Sequence, residues 1–178
     1  MPLVFSQSHL EIIQFKPMMS YHTADLWDEY SEELSLLNLT LHSYGTKHMF
    51  HGQVVTLKVY EDNSLVKKEL QSNGKGKVLV VDGGGSKRCA LMGDNLAQLA
   101  IDNEWHGVII YGCIRDSKQI NEMEVGIKAL GTCPIKSNKR NEGIKGQDLI
   151  IEGTRIKNGD FIYADADGIL IANRMLSN

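Results

Sequence analysis

The chain has 178 residues, enough for one domain whose core needs no covalent staples. Hydrophobic residues make up 42% and charged residues 23%, at a formal net charge of -3, the balance of a soluble globular protein. Its basic clusters, Lys67-Lys68 and Lys136 to Arg140, are short and read as solvated faces, which argues against direct nucleic-acid binding but not against an RNA-processing protein as partner.

Residues 1–19 read as an N-terminal extension without an assigned role, a candidate disordered tail, ahead of a domain over 20–178. Glu11 interrupts its most apolar stretch, so no signal peptide is expected. Thr23 precedes Ala24–Tyr30 with acids in the first turns, the pattern of a capped helix start. Gly52 to Tyr60 alternates Val55, Leu57 and Val59 with Thr56 and Lys58, which predicts a half-buried strand. Asn63 to Gln71 is a short helix ended by Asn73-Gly74. Lys77 to Val81 is an apolar, β-branched run suited to a buried strand, and it enters the turn Asp82-Gly83-Gly84-Gly85-Ser86. Asp94 to Asn103 carries Leu96, Leu99 and Ala100 at helical spacing, and Gly107 to Gly112 is a second apolar strand. Strand, helix and strand in this order imply a parallel crossover. A further helix is expected over Ser117 to Ala129. The tail holds two or three more strands, with Asn158-Gly159 turning a hairpin and Asp165 to Gly168 forming another bend. No stretch approaches the roughly 20 apolar residues of a membrane helix. Cys89, Cys113 and Cys133 are odd in number and form no CxxC, so a reducing cytoplasm is the simplest compartment. The reading is a single α/β domain.

In open α/β sheets, ligands gather beyond the carboxyl ends of parallel strands. Two segments meet that description, the glycine turn after Val81 and Cys113-Ile114-Arg115-Asp116. The crossover helix starts near Gly93-Asp94-Asn95-Leu96, and its free N–H groups and dipole point to the same end of the sheet, suited to an anion. Three elements are thus expected around one crevice. Each also has a plain structural reading, Asp94 as a helix cap and Asp116 as the cap of the following helix. The glycine run lacks GK[ST] and GxGxxG, so it is weak as a nucleotide signal. Asp165-Ala166-Asp167-Gly168 lacks the downstream acid of a calcium loop, and the six histidines show no metal-ligand spacing. No Gly-x-Ser-x-Gly elbow is present, and Cys113 has no histidine beside it in sequence. A Schiff-base lysine is disfavoured, since most lysines sit in polar contexts and Lys58 lies on the more polar face of its strand.

Asp94, twenty intervening residues and then Arg115-Asp116 resemble the motif of the RraA-like family, which includes the regulator of ribonuclease activity A and the class II 4-hydroxy-4-methyl-2-oxoglutarate aldolases. The resemblance spans about Tyr21 to Ala172 and rests on VLVVDGGGS (78–86), GDNLAQLA (93–100), NEWHGVIIYGCIRD (103–116) and GDFIYADADGILI (159–171). It implies that Gly93, Asp94, Asn95 and Leu96 contact the substrate, that Arg115 binds it, and that Asp116 ligates a divalent metal. It also implies a layered β/β/α swivelling-domain fold, phosphohistidine-domain-like, assembled as a homotrimer or a dimer of trimers.

These roles agree with the chemistry. Cleaving 4-hydroxy-4-methyl-2-oxoglutarate into two pyruvates leaves negative charge on one product, and decarboxylating oxaloacetate creates the same pyruvate enolate. Mg2+ or Mn2+ on Asp116 and waters would act as Lewis acid there. Arg115 adds a fork-shaped cation, and the Asn95 and Leu96 N–H groups suit the carboxylate of the 2-oxo acid. Asp94 would orient a water as acid or base, and the glycines after Asp82 would let backbone approach the ligand. The reading from another class is a regulator that binds and inhibits an endoribonuclease of the ribonuclease E type. Asp116 favours the lyase, because a regulator without lyase chemistry has no need of an acid there. An older family label, a methyltransferase of menaquinone synthesis, finds no methyl-donor site in these residues.

Overall fold

The computed structural model describes residues 21–176, so the extension assigned to 1–19 lies outside the described residues. The strands are β1 (Leu34–Leu36), β2 (His42–Tyr44), β3 (Phe50–Lys58), β4 (Lys77–Asp82), β5 (Ala90–Met92), β6 (Gly107–Ile114), β7 (Ile127–Thr132), β8 (Ile144–Lys145), β9 (Leu149–Ile151), β10 (Thr154–Ile156), β11 (Phe161–Ala164) and β12 (Ile169–Ala172). The helices are α1 (Thr23–Tyr30), α2 (Ser64–Leu70), α3 (Asp94–Asp102) and α4 (Ser117–Ile120). One sheet runs β1-β12-β11-β3-β4-β6-β7-β2, with β5 beside β6 and β8 beside β3, while β9 and β10 form a separate ribbon. The chain is a mixed α/β domain with a large sheet and few helices.

Strand β4 explains why the sheet is sandwiched. Val78, Leu79, Val80 and Val81 are all fully buried, and successive side chains of a strand point to opposite faces, so both faces are covered. Leu79 and Val81 pack with Val66 and Leu70 of α2 and Ala97 and Ala100 of α3. Val78 and Val80 pack with Leu149, Ile151 and Ile156 of the β9–β10 ribbon and with Ile162 and Ile171. Strands β3, β4, β6 and β7 are parallel neighbours, as the crossover predicts.

Four local expectations are corrected. The strand expected at Gly52 to Tyr60 is not half-buried, since Val54 and Thr56 are as enclosed as Leu57. Thr23 does not cap α1 with its own hydroxyl; the hydroxyl donates to Asp165 Oδ1 at 2.7 Å, and Asp165 Oδ2 takes the Thr23 N–H at 2.7 Å. The helix expected over Ser117 to Ala129 stops at Ile120, and Ile127–Thr132 pair with β6 instead. Tertiary pairing overrides propensity there: a Cβ on Gly126 would lie 2.5 Å from the Phe50 ring, so the chain passes flat against that ring into β7. Asn158-Gly159 closes no hairpin, because Asn158 Oδ1 accepts the Thr56 N–H at 3.1 Å and the strands on either side of it are unpaired with each other. The hairpin turn lies at Glu152-Gly153, with φ 46° and 78°, between β9 and β10. Among the described residues no helix is long and apolar enough to cross a membrane.

Candidate active site

Strands β5 and β6 run parallel and deliver two short segments to the same place. The Arg115 N–H donates to Met92 O at 2.9 Å, which ties the end of β6 to the end of β5. Gly93 and Asp94, entering α3, therefore stand beside Arg115 and Asp116, leaving β6. The Asp94 N–H donates to Asp116 Oδ2 at 3.3 Å, and Arg115 Nε lies 3.7 Å from the same oxygen. Gly93 is required by this closeness: a Cβ there would sit 2.5 Å from Asp116 Oδ2. Asp116 occupies the left-handed region at φ 57°, ψ 34°, a conformation that costs a non-glycine residue energy and recurs at functional sites. It precedes α4 without capping it by its side chain, so its carboxylate is turned to the site and not spent on the helix.

The opposite wall comes from a segment that follows β7, residues 133–142. The Cys133 N–H donates to Ile114 O at 2.9 Å, the Ala90 N–H to Ile135 O at 2.7 Å, and the Asn138 N–H to Glu61 O at 2.8 Å. Asp62 Oδ2 accepts from the Arg140 N–H at 2.5 Å, while Asp62 Oδ1 accepts from the Ser64 N–H at the start of α2 at 2.8 Å. Burial alone would raise the Asp62 carboxyl; hydrogen bonds from Ser64, Arg140 and Glu142 outweigh it and hold the group below the usual carboxylate range. The segment is thereby strapped across the ends of β5 and α2.

Between these walls lies a cavity of about 440 Å³. Gly93, Asp94, Asn95, Leu96, Arg115 and Asp116, the residues singled out in the sequence, all line it. The glycine turn does not. Gly83 and Gly85 instead donate N–H to Tyr111 O, each at 3.1 Å, so the missing side chains let backbone approach backbone and not a ligand. The Asn95 N–H is already taken by Asp94 Oδ1 at 2.8 Å, which removes it from the donors expected for a carboxylate. Sequence reasoning missed Asn63 and Lys67 of the α2 end and Lys136, Ser137 and Lys139 of the strap. Lys136 to Arg140 have the composition of a solvated face, and Ile135 just before them is itself exposed; the backbone bonds of the strap, not a local apolar pattern, hold the segment against the cavity.

Four cations, Lys67, Arg115, Lys136 and Lys139, face two carboxylates, Asp94 and Asp116, so the cavity suits an anionic ligand. The Asp116 side chain is 37% exposed, a hard oxygen donor with room for water. Among the described residues no group of three or more His, Cys, Asp or Glu converges on a point. That donor set fits an ion such as Mg2+, which keeps several waters, and does not fit a closed zinc site.

The family model for RraA-like proteins, described as Aldolase/RraA, matches residues 23–171. The chain belongs to the RraA-like family. A provisionally named 4-hydroxy-4-methyl-2-oxoglutarate aldolase of Vibrio cholerae is 51% identical over 154 residues, covering 86% of this chain and 96% of its own. A Geobacillus kaustophilus structure titled as an S-adenosylmethionine:2-dimethylmenaquinone methyltransferase is 48% identical with a TM-score of 0.87, over 89% of this chain and 99% of that one. The RNA-processing inhibitor RraA from Thermus thermophilis has the same TM-score of 0.87 at 41% identity, over 90% and 97% of the two chains. The RraA-like fold therefore extends over nearly all of the described residues, cavity included.

Proposed function

We propose that the protein is a divalent-metal-dependent lyase of the cytoplasm that cleaves 4-hydroxy-4-methyl-2-oxoglutarate to two pyruvates, with oxaloacetate decarboxylation as a side activity. The observation that carries this reading is the meeting of Asp94, Arg115 and Asp116 on one cavity at the start of α3. The aldolase names borne by relatives such as that of Vibrio cholerae support it. Asp116, with waters, would hold Mg2+ or Mn2+, which would supply Lewis acidity where negative charge develops. Arg115 places its guanidinium where charge grows on the enolate oxygen, and such a fixed donor is worth roughly 10²–10³ in rate. The Leu96 N–H, in the first turn and without an intrahelical partner, is the backbone donor for the substrate's C1 carboxylate. Asp94 uses Oδ1 locally and keeps Oδ2 for a water that takes the proton of the C4 hydroxyl. The C3–C4 bond then breaks, its electron pair forms the enolate, and protonation at C3 gives the second pyruvate. In the same reading the chain works as a homotrimer or a dimer of trimers.

The likeness to the Thermus thermophilis RNA-processing inhibitor favours a second reading, a regulator that binds an endoribonuclease. Pyruvate release from both substrates, with and without Mg2+, for wild type and Asp116→Ala, separates the two. The lyase reading expects metal-dependent turnover that the substitution abolishes. No turnover in wild type, together with capture of a ribonuclease, hands the function to the regulator.

A further inference from the structure

Ser137 is anomalous in the cavity wall. Its residue is 7% exposed, and its hydroxyl is the one buried side-chain polar atom without a hydrogen-bond partner among the described residues. Buried hydroxyls are satisfied as a rule, because an unmet one has given up its water for nothing. The backbone on either side is fixed, by the Ala90 to Ile135 bond at 2.7 Å and the Asn138 to Glu61 bond at 2.8 Å, so the strap cannot slide to find the hydroxyl a partner. Lys136 and Lys139 flank it on the cavity lining, and neither ammonium is in a salt bridge among the described residues.

We propose that Ser137, Lys136 and Lys139 form a second carboxylate subsite, which receives the carboxylate at the far end of a dianionic 2-oxo acid. The inference rests on the lyase reading and adds to it the selection of dianions over monoanions. Arg115 and the first turn of α3 hold the 2-oxo end at one wall, and the strap faces them across the cavity. A hydroxyl donor between two ammonium groups complements a carboxylate, and a single χ1 rotation between staggered positions aims Ser137 Oγ at it. The subsite also bears on which reaction runs. In C3–C4 cleavage the far carboxylate stays on the product and keeps its charge, so holding it orients the bond to be broken. In oxaloacetate decarboxylation the far carboxylate must leave as CO2, and cations that hold its charge oppose that step.

Calorimetric titration in the presence of Mg2+ tests the subsite without any turnover. 2-Oxoglutarate carries a far carboxylate but no C4 hydroxyl to drive cleavage, and 2-oxopentanoate lacks that carboxylate. Wild type is expected to bind 2-oxoglutarate roughly tenfold more tightly than 2-oxopentanoate. Ser137→Ala and Lys139→Met are expected to erase the difference, and Lys139→Arg to retain it. In turnover, the two disabling variants raise KM for the dicarboxylate more than they lower kcat. Equal binding of the two acids by wild type, or a preference that survives both disabling variants, overturns the subsite and leaves the lyase reading standing. Binding of neither acid by wild type overturns both.

Discussion

Asp62 sits outside the chemistry, yet its replacement should be costly. The residue is 1% exposed, and its carboxylate joins α2 to the strap. Asp62→Ala removes the acceptor for the Ser64 N–H, a helix-start contact worth about 1 kcal/mol. It also removes the 2.5 Å bond from the Arg140 N–H, which as a charge-assisted contact is worth about 1.5–3 kcal/mol. The Glu142 contact at 3.4 Å adds little. The expected loss is about 2.5–4 kcal/mol, which at a urea slope of about 2 kcal/mol/M moves the unfolding midpoint down by roughly 1–2 M at pH 7. The pH dependence has a definite sign. The folded carboxyl is held below the unfolded value of about 3.9, so its stabilisation is complete above that value and is lost as pH falls through the lower, folded one. The gap between wild type and Asp62→Ala should narrow from pH 6 towards pH 3. A variant within about 0.5 kcal/mol of wild type at pH 7, the range of an ordinary surface change, would mean that Asp62 does not hold α2 to the strap. So would a gap that stays constant to pH 3.

Gly93→Ala should fold, since φ −132° suits alanine, but its Cβ must displace the Asp116 carboxylate; kcat/KM is expected to fall about 100-fold with little change in melting temperature. Arg115→Met should cost roughly 10²–10³ in kcat for pyruvate release, and a loss confined to KM would remove Arg115 from charge stabilisation. Chelation should abolish turnover, and borohydride with pyruvate should leave no reduced adduct by mass spectrometry. Lys128, the lysine pushed below its ordinary range by burial, follows Ile127 and precedes Ala129 of the helix-side core, so it points to the other face, where its ammonium donates to Ser43 Oγ at 3.0 Å. A trapped Lys128 would overturn the metal mechanism.

The parts legible in sequence were those governed by local pattern and by the geometry of parallel crossovers. Lys77–Val81 and Gly107–Gly112 are short apolar β-branched runs, and a strand buried on both faces has no other composition open to it. Once they are parallel, the start of the connecting helix and the residues after the second strand fall at one end of the sheet, which is why Asp94, Arg115 and Asp116 were found together. Tertiary neighbours decided the rest. Nothing local tells that Gly126 passes against Phe50 and turns a helical pattern into β7. Nothing local turns Lys136 to Arg140 from a solvated face into a cavity wall; backbone bonds to Ala90, Glu61 and Asp62 do so. The glycine turn was legible as a turn but not in its purpose, since its close approach is to the Tyr111 carbonyl.

The proposed lyase holds a cation on Asp116 and an anion on Arg115 in the same cavity, at the start of α3. A crystal structure with Mn2+ and pyruvate tests this arrangement most directly. Anomalous density is expected at the Asp116 carboxylate, with pyruvate between that ion, the Arg115 guanidinium and the Leu96 N–H. Mn2+ bound elsewhere, or pyruvate seated away from Arg115, would contradict it.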